Sequence, residues 1–290
     1  MNRPFRKATR GPRPAAGRLV LLAVLFLVPG CLTQQAVRDI VDDSNQAIIE
    51  SNRRLAAGEA AGLDAETGSD WEETVARIDA FIVAHPDDPD LTTPLRLRQA
   101  MIFTVHQLDQ LALAAFELVK ADAAHLHTER DKALLKAHPH LVWWFTAADR
   151  NLTGPELAAD GAGPKALRAF GEIATSLDRM SDTRVYFEEQ RAYLAAHLAQ
   201  NVTQAAAART FLVDGAKGYV AMFTEGEIAR LRSGDLQAVG GGDVSFRRRL
   251  AIFRAPQILG RFGEVAAASD LDDVSWVPAW VGEFTGQDPE

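Results

Sequence analysis

The sequence predicts an all-α protein, a multi-helix array of antiparallel helical hairpins. Ala, Leu and Arg are the most frequent of the 290 residues, while β-branched residues are scattered; these three types are good helix formers. Apolar residues recur at steps of three and four over successive stretches, and no alternating run of strand length stands out. Proline and glycine fall between those stretches, where chain reversals need them.

The first element is a leader over residues 1–30. It carries Arg3, Arg6, Lys7, Arg10, Arg13 and Arg18 and no acid, then the apolar run Leu19 to Val28. A cationic start, a short apolar core and small residues at a cut site form a secretory signal. The run is too short to cross a bilayer, which takes about 20 apolar residues. Val28-Pro29-Gly30-Cys31 closes it. This tetrad resembles the lipobox of bacterial lipoproteins. The resemblance implies cleavage before Cys31, a thioether from Cys31 to diacylglycerol, and a membrane tether at the mature N-terminus. Leu32 in place of aspartate implies, by the same resemblance, the outer membrane facing the periplasm. The rival reading is an uncleaved N-terminal anchor. Cys31 is the only cysteine, so no disulfide forms within one chain.

Six of the 31 basic residues and none of the 39 acidic ones lie in the leader, so the mature chain sits near −14. That balance opposes nucleic-acid binding, because phosphates are repelled. Residues 31–68 read as a tether helix with a thin apolar stripe, followed by a Gly-rich linker. A helical region spans 69–150. It opens on the capping-box pattern Ser69…Glu72 and buries Trp71, Val75, Ile78, Phe81 and Ile82. His85-Pro86 ends this first helix. A second is expected from Thr93-Pro94, with Pro94 at the first helical position, to about Ala121.

Phe81 to Pro89, Arg98-Gln99-Ala100 and Gln107 to Glu117 together resemble a tetratricopeptide-type unit, through an aromatic, a His-Pro-Asp-x-Pro corner and an Ala…Phe helix. The resemblance covers about residues 71–121. It implies a groove that receives a helix or an extended peptide. Leu108 and Asp109 replace the small residue and glycine of that family's turn, and no second copy follows at a fixed period. An ordinary hairpin with a Pro-Asp corner accounts for the same residues, and both readings stay open.

From Asp122 to Arg150 the chain is expected to stay helical, broken at His138-Pro139. A loop over 151–163 opens a C-terminal helical region, 151–290. Its helices are expected at about 164–180, 182–213, 216–233 and 246–262, with Gly240-Gly241-Gly242 before the last.

No residue pattern predicts a catalytic site, a bound cofactor or a metal. His125-x-His127 and His138-x-His140 look metal-like, but on a helix residues two apart point about 200° apart and do not share an ion. Adjacent acid pairs diverge in the same way. No Gly-x-Ser-x-Gly elbow or phosphate loop occurs, and the single cysteine lies at the processing site. The expected function is a non-enzymatic, membrane-anchored scaffold that binds other envelope proteins. Its candidate contact residues are Asp87, Asp88 and Gln107 near the corner, and the basic run Arg247, Arg248 and Arg249. The alternatives are a peptidoglycan-related envelope enzyme whose site assembles only in the fold, and a transport-associated lipoprotein holding a ligand against Trp143, Trp144 and Phe145.

Overall fold

The computed structural model describes residues 35–42, 70–233, 246–269 and 271, which are helices and short connections with no strand among them. Residues 1–34, with the leader and Cys31, lie outside the described residues, as do the linker, Ser69, the triple glycine and the tail tryptophans Trp276 and Trp280. The chain divides into two units, Met1–Ala80 and Phe81–Glu290.

In the first unit, residues 35–42 form α1, where Gln35 Nε2 donates to Asp39 Oδ1 at 2.7 Å one turn on. Helix α2, Asp70–Ala84, begins in this unit. Thr74 and Ile78 are buried and Trp71 and Val75 half-buried, so the periodic stripe is the inward one. No described helix is long and apolar enough to cross a membrane.

The second unit opens with the end of α2, where His85 N donates to Phe81 O at 3.0 Å before Pro86. Helix α3 is Pro89–Val105 and starts four residues before the expected Thr93-Pro94. Pro89 occupies the first turn, where its missing amide hydrogen costs nothing, and Pro94 falls inside the helix. The chain then reverses at His106–Leu108 instead of continuing to Ala121. Gln107 adopts a left-handed backbone at φ 57°. Its amide donates to Thr104 O at 3.1 Å and that of Leu108 to Phe103 O at 2.9 Å. This is a Schellman closure with glutamine where glycine is usual. Helix α4, Asp109–Ala121, returns antiparallel along α3.

A 3-10 turn, Ala123–His125, leads to α5, Glu129–Ala147. Thr128 caps α5, its hydroxyl accepting from Asp131 N at 3.1 Å. Helix α5 runs unbroken through Pro139, contrary to the expected break. The carbonyl robbed of its donor by Pro139 is that of Leu135, one turn back. His138 Nδ1 lies 2.7 Å from that oxygen and supplies the missing hydrogen bond. The His138 ring also stacks on Phe116, with centroids 4.8 Å apart.

After the one-turn α6, Gly154–Leu157, come α7, Ala162–Ser176, and α8, Asp182–Asn201. The expected helix over 182–213 is two helices, because Val202 is extended and α9 begins at Ala205, ending at Ala221. Helices α10, Glu225–Ser233, and α11, Phe246–Ala268, complete the unit.

Helix α8 is the pivot. Phe187, Leu194 and Leu198 join a hydrophobic cluster with α3, α4, α5 and α7, which runs from Leu97 across residue 150. Val185, Ala192, Ala196 and Ala199 join a second cluster with α9 and α11. A helix buried on both sides shows no polar face. Gly215 lets α9 approach closely, since a Cβ there would overlap Ala195 of α8.

Candidate functional site

The α3/α4 hairpin brings the start of α3 and the chain beyond α4 to one end, where the 3-10 turn packs on α3. Asp87 is exposed, Asp88 half-buried and Asp90 exposed at this end. His125 Nδ1 lies 2.7 Å and His127 Nε2 3.1 Å from the same oxygen, Asp90 Oδ1. The α-helical argument that set these two imidazoles apart does not hold, because neither lies in an α-helix. The 3-10 turn ends at His125 and Leu126 is extended, at φ −89° and ψ 108°. In extended chain, residues two apart share a side. Leu126, 2 % exposed, points into the core and leaves both imidazoles on the outer side. Hydrogen bonds from His125 and then His127 lower the Asp90 pKa, burial opposing them weakly. Arg96 pairs with Asp122 beside them, at 3.1 Å.

Gln107 does not belong to this end. Helix α3 separates it from Asp87 and Asp88 by about 25 Å at 1.5 Å per residue. Its side-chain amide donates to Phe145 O at 3.1 Å and Asp149 Oδ2 at 2.9 Å. Asp109 Oδ1 accepts from Thr146 at 2.7 Å, so the reversal is locked onto the end of α5.

Arg248 is also corrected. It is 2 % exposed and faces inward, away from any partner. Its Nε contacts Glu227 Oε1, NH2 donates to Glu227 Oε2 at 2.7 Å and Met222 O at 2.6 Å, and NH1 donates to Arg179 O at 3.1 Å. Arg179 in turn donates to Phe223 O at 2.6 Å. One guanidinium thereby joins α11, the start of α10 and the turn before α8. Burial pushes the Glu227 carboxyl up, but hydrogen bonds from Arg248 and Thr224 outweigh it and leave the pKa lowered. The side chains of Arg247 and Arg249 lie outside the described residues.

Two features escape sequence reasoning. Three of the five large apolar side chains left exposed among the described residues sit on α4: Leu111 at 52 %, Leu113 at 42 % and Leu118 at 57 %. Ala112, Ala115, Phe116 and Val119 fill the opposite, buried side. Leu111 and Leu118, seven positions apart, share one edge of the helix about 10 Å apart. A near-continuous apolar stripe in the sequence conceals which residues face out.

The second feature is an ionic layer inside the helical stack. Arg191 of α8 lies between Gly171 of α7 and Gly218 of α9, where a Cβ at either position would crowd its guanidinium. It pairs with Asp214 at 2.6 Å and with Glu188, 1 % exposed, at 3.5 Å. Burial raises the Glu188 pKa while the Arg191 charge opposes it. The two glycines are the sequence trace of this layer, legible only once the helices are paired.

Trp144 is buried and its Nε1 donates to Gln190 at 3.0 Å, and Trp143 is half-buried with Nε1 3.4 Å from Glu156. Among the described residues no group of three or more His, Cys, Asp or Glu side chains could hold a metal ion. No known protein family, curated protein or solved structure matches the chain.

Proposed function

We propose that the chain is a lipid-anchored envelope protein whose helical array docks other envelope proteins without catalysing a reaction. The observation that carries this reading is the pair Leu111 and Leu118, exposed along one edge of α4. Large apolar side chains grouped on one exposed helix edge favour a protein contact over water. Their charged neighbours Glu117 and Lys120 form a polar rim, as interface edges do. An α-helical ligand laid along α4 would bury them, and the tetratricopeptide resemblance implies a helix or extended peptide as ligand. The lipobox resemblance at Cys31 supplies the tether, in the outer membrane facing the periplasm, and the acidic mature chain disfavours nucleic acid.

The test places a photo-crosslinking residue at Ala114, between the leucines, in the full-length chain within its own membranes. A discrete adduct is expected, and Leu111→Glu with Leu118→Glu should abolish it while changing stability by less than about 0.5 kcal/mol. No adduct, or one that persists in the double variant, removes α4 from the account.

A further inference from the structure

We infer that the exposed edge of α4 is a self-association seam, covered by α4 of a second copy of this chain running antiparallel. The inference rests on the docking reading of α4 and names the partner there. Leu111, at 52 % exposure, and Leu118, at 57 %, share that edge with Ala114 and Ala121, both exposed. The four positions step by three, four and three, the a and d spacing of a helix that packs lengthwise on another helix. At about 100° per residue they fall within an arc of about 80°. The buried Ala112, Ala115, Phe116 and Val119 occupy a separate arc, so the seam is not part of the α3/α4 packing.

The seam is complementary to itself. In an antiparallel pair with the two-fold axis beside Ala114, Leu111 meets the partner's Leu118, and Leu118 the partner's Leu111. Ala114 then faces the partner's Ala114, and two methyl groups let the helix axes approach to about 8 Å, the close end of helix packing. The charges agree with this direction. Gln110 and Glu117 flank the seam on one shoulder, so each Glu117 carboxylate faces the amide donor of the partner's Gln110 and no like charges meet. A parallel pair would align the two helix dipoles and set Glu117 beside the partner's Asp122. Lys120 lies off the seam and pairs with Glu117 of its own helix at 3.7 Å. A two-fold contact uses the same patch on both copies and closes at two. From Leu111 to Ala121 the seam is about 15 Å long, less than a stable contact between free proteins needs. The tether proposed at Cys31 makes up the difference by concentrating the copies on one membrane surface.

The experiment is mild oxidation of the full-length Ala114→Cys chain in its own membranes. The parent chain, whose one cysteine is Cys31, gives the baseline. A disulfide-linked species of twice the chain's mass is expected, because side chains facing each other across the axis lie within disulfide reach. Lys120→Cys, about 140° round the helix from the seam, should give no such species above baseline. Adding Leu111→Glu and Leu118→Glu to Ala114→Cys should remove the link. Co-expressed Leu111→Cys and Leu118→Cys chains should link to each other and not to themselves, and self-linking by either overturns the antiparallel pairing. Far-UV circular dichroism of each variant shows that it is folded. A link from Ala114→Cys to a different protein overturns the second copy and leaves the docking edge standing. No link from folded Ala114→Cys chain, or an equal link from Lys120→Cys, overturns the inference, and the photo-crosslinked adduct at Ala114 then decides the docking reading separately.

Discussion

Replacing Arg248 by methionine tests whether the basic run serves the interior. Methionine keeps the length of the apolar stem but removes the guanidinium. It thereby cuts the contacts to Met222 O, Arg179 O and both Glu227 oxygens. Glu227 is then left charged with its side chain 7 % exposed. Breaking a buried ion pair from one side costs about 3–5 kcal/mol, mostly because the remaining charge is stranded. The Thr224 amide and hydroxyl still reach Glu227 Oε2, at 2.7 and 2.9 Å, so the loss should fall near the lower end. At about 2–4 °C per kcal/mol for a domain of this size, Tm should fall by about 6–12 °C. The assay is thermal and urea unfolding followed by far-UV circular dichroism. Adding Glu227→Leu to Arg248→Met should recover part of the loss, because an apolar pair strands no charge. An Arg248→Met protein within about 0.5 kcal/mol of the parent would refute the inward reading and return Arg248 to the surface.

Other perturbations give separate readings. Hydrogen bonds from Arg150, then from the Thr153 amide, hold the Glu156 pKa at about 2, below the ordinary 4.5. A depressed carboxylate stabilises the fold fully above pH 4.5, and that contribution fades as pH falls toward about 2. Arg150 is 44 % exposed, so solvent screening limits the effect to about 1 kcal/mol. Glu156→Gln should flatten the stability curve over that range, and parallel curves for the two proteins would contradict the pairing. Gln107→Ala should destabilise by about 1–2 kcal/mol, since it keeps the left-handed backbone and loses both side-chain bonds. Gln107→Gly should cost less, because glycine adopts that backbone without penalty. The reverse order in urea unfolding would show that backbone strain is not the governing factor.

The class and most helix stripes were legible because periodicity reports burial wherever a helix has one dry side. Ile78 and Phe81 are buried as that pattern predicts. Boundaries failed where the chain turns without its usual punctuation. The α3/α4 reversal has glutamine at the left-handed position and no glycine, so nothing interrupts the stripe. At Pro139 the signal misled in the other direction, because the imidazole of His138 repairs the hydrogen bond that proline removes.

The Asp90–His125–His127 cluster was missed for one physical reason: a period of 3.6 was applied where the chain is extended. Thr128 three residues before Asp131 is a helix-start pattern, and it placed His127 outside α5. Arg248 looked exposed because a charge run on a helix usually is. Only pairing α10 with α11 reveals Glu227 opposite it. Glu188 and Arg191 have the same explanation, since the glycines that make room for them lie on α7 and α9.

The tether is the claim on which the proposed role depends, and mass spectrometry of the N-terminal proteolytic fragment from the membrane fraction tests it most directly. A fragment beginning at Cys31 and carrying diacylglycerol is predicted, with Cys31→Ser protein losing the modification and the membrane association together. An unmodified fragment that retains residues 1–30, on a chain found in the soluble fraction, would contradict it.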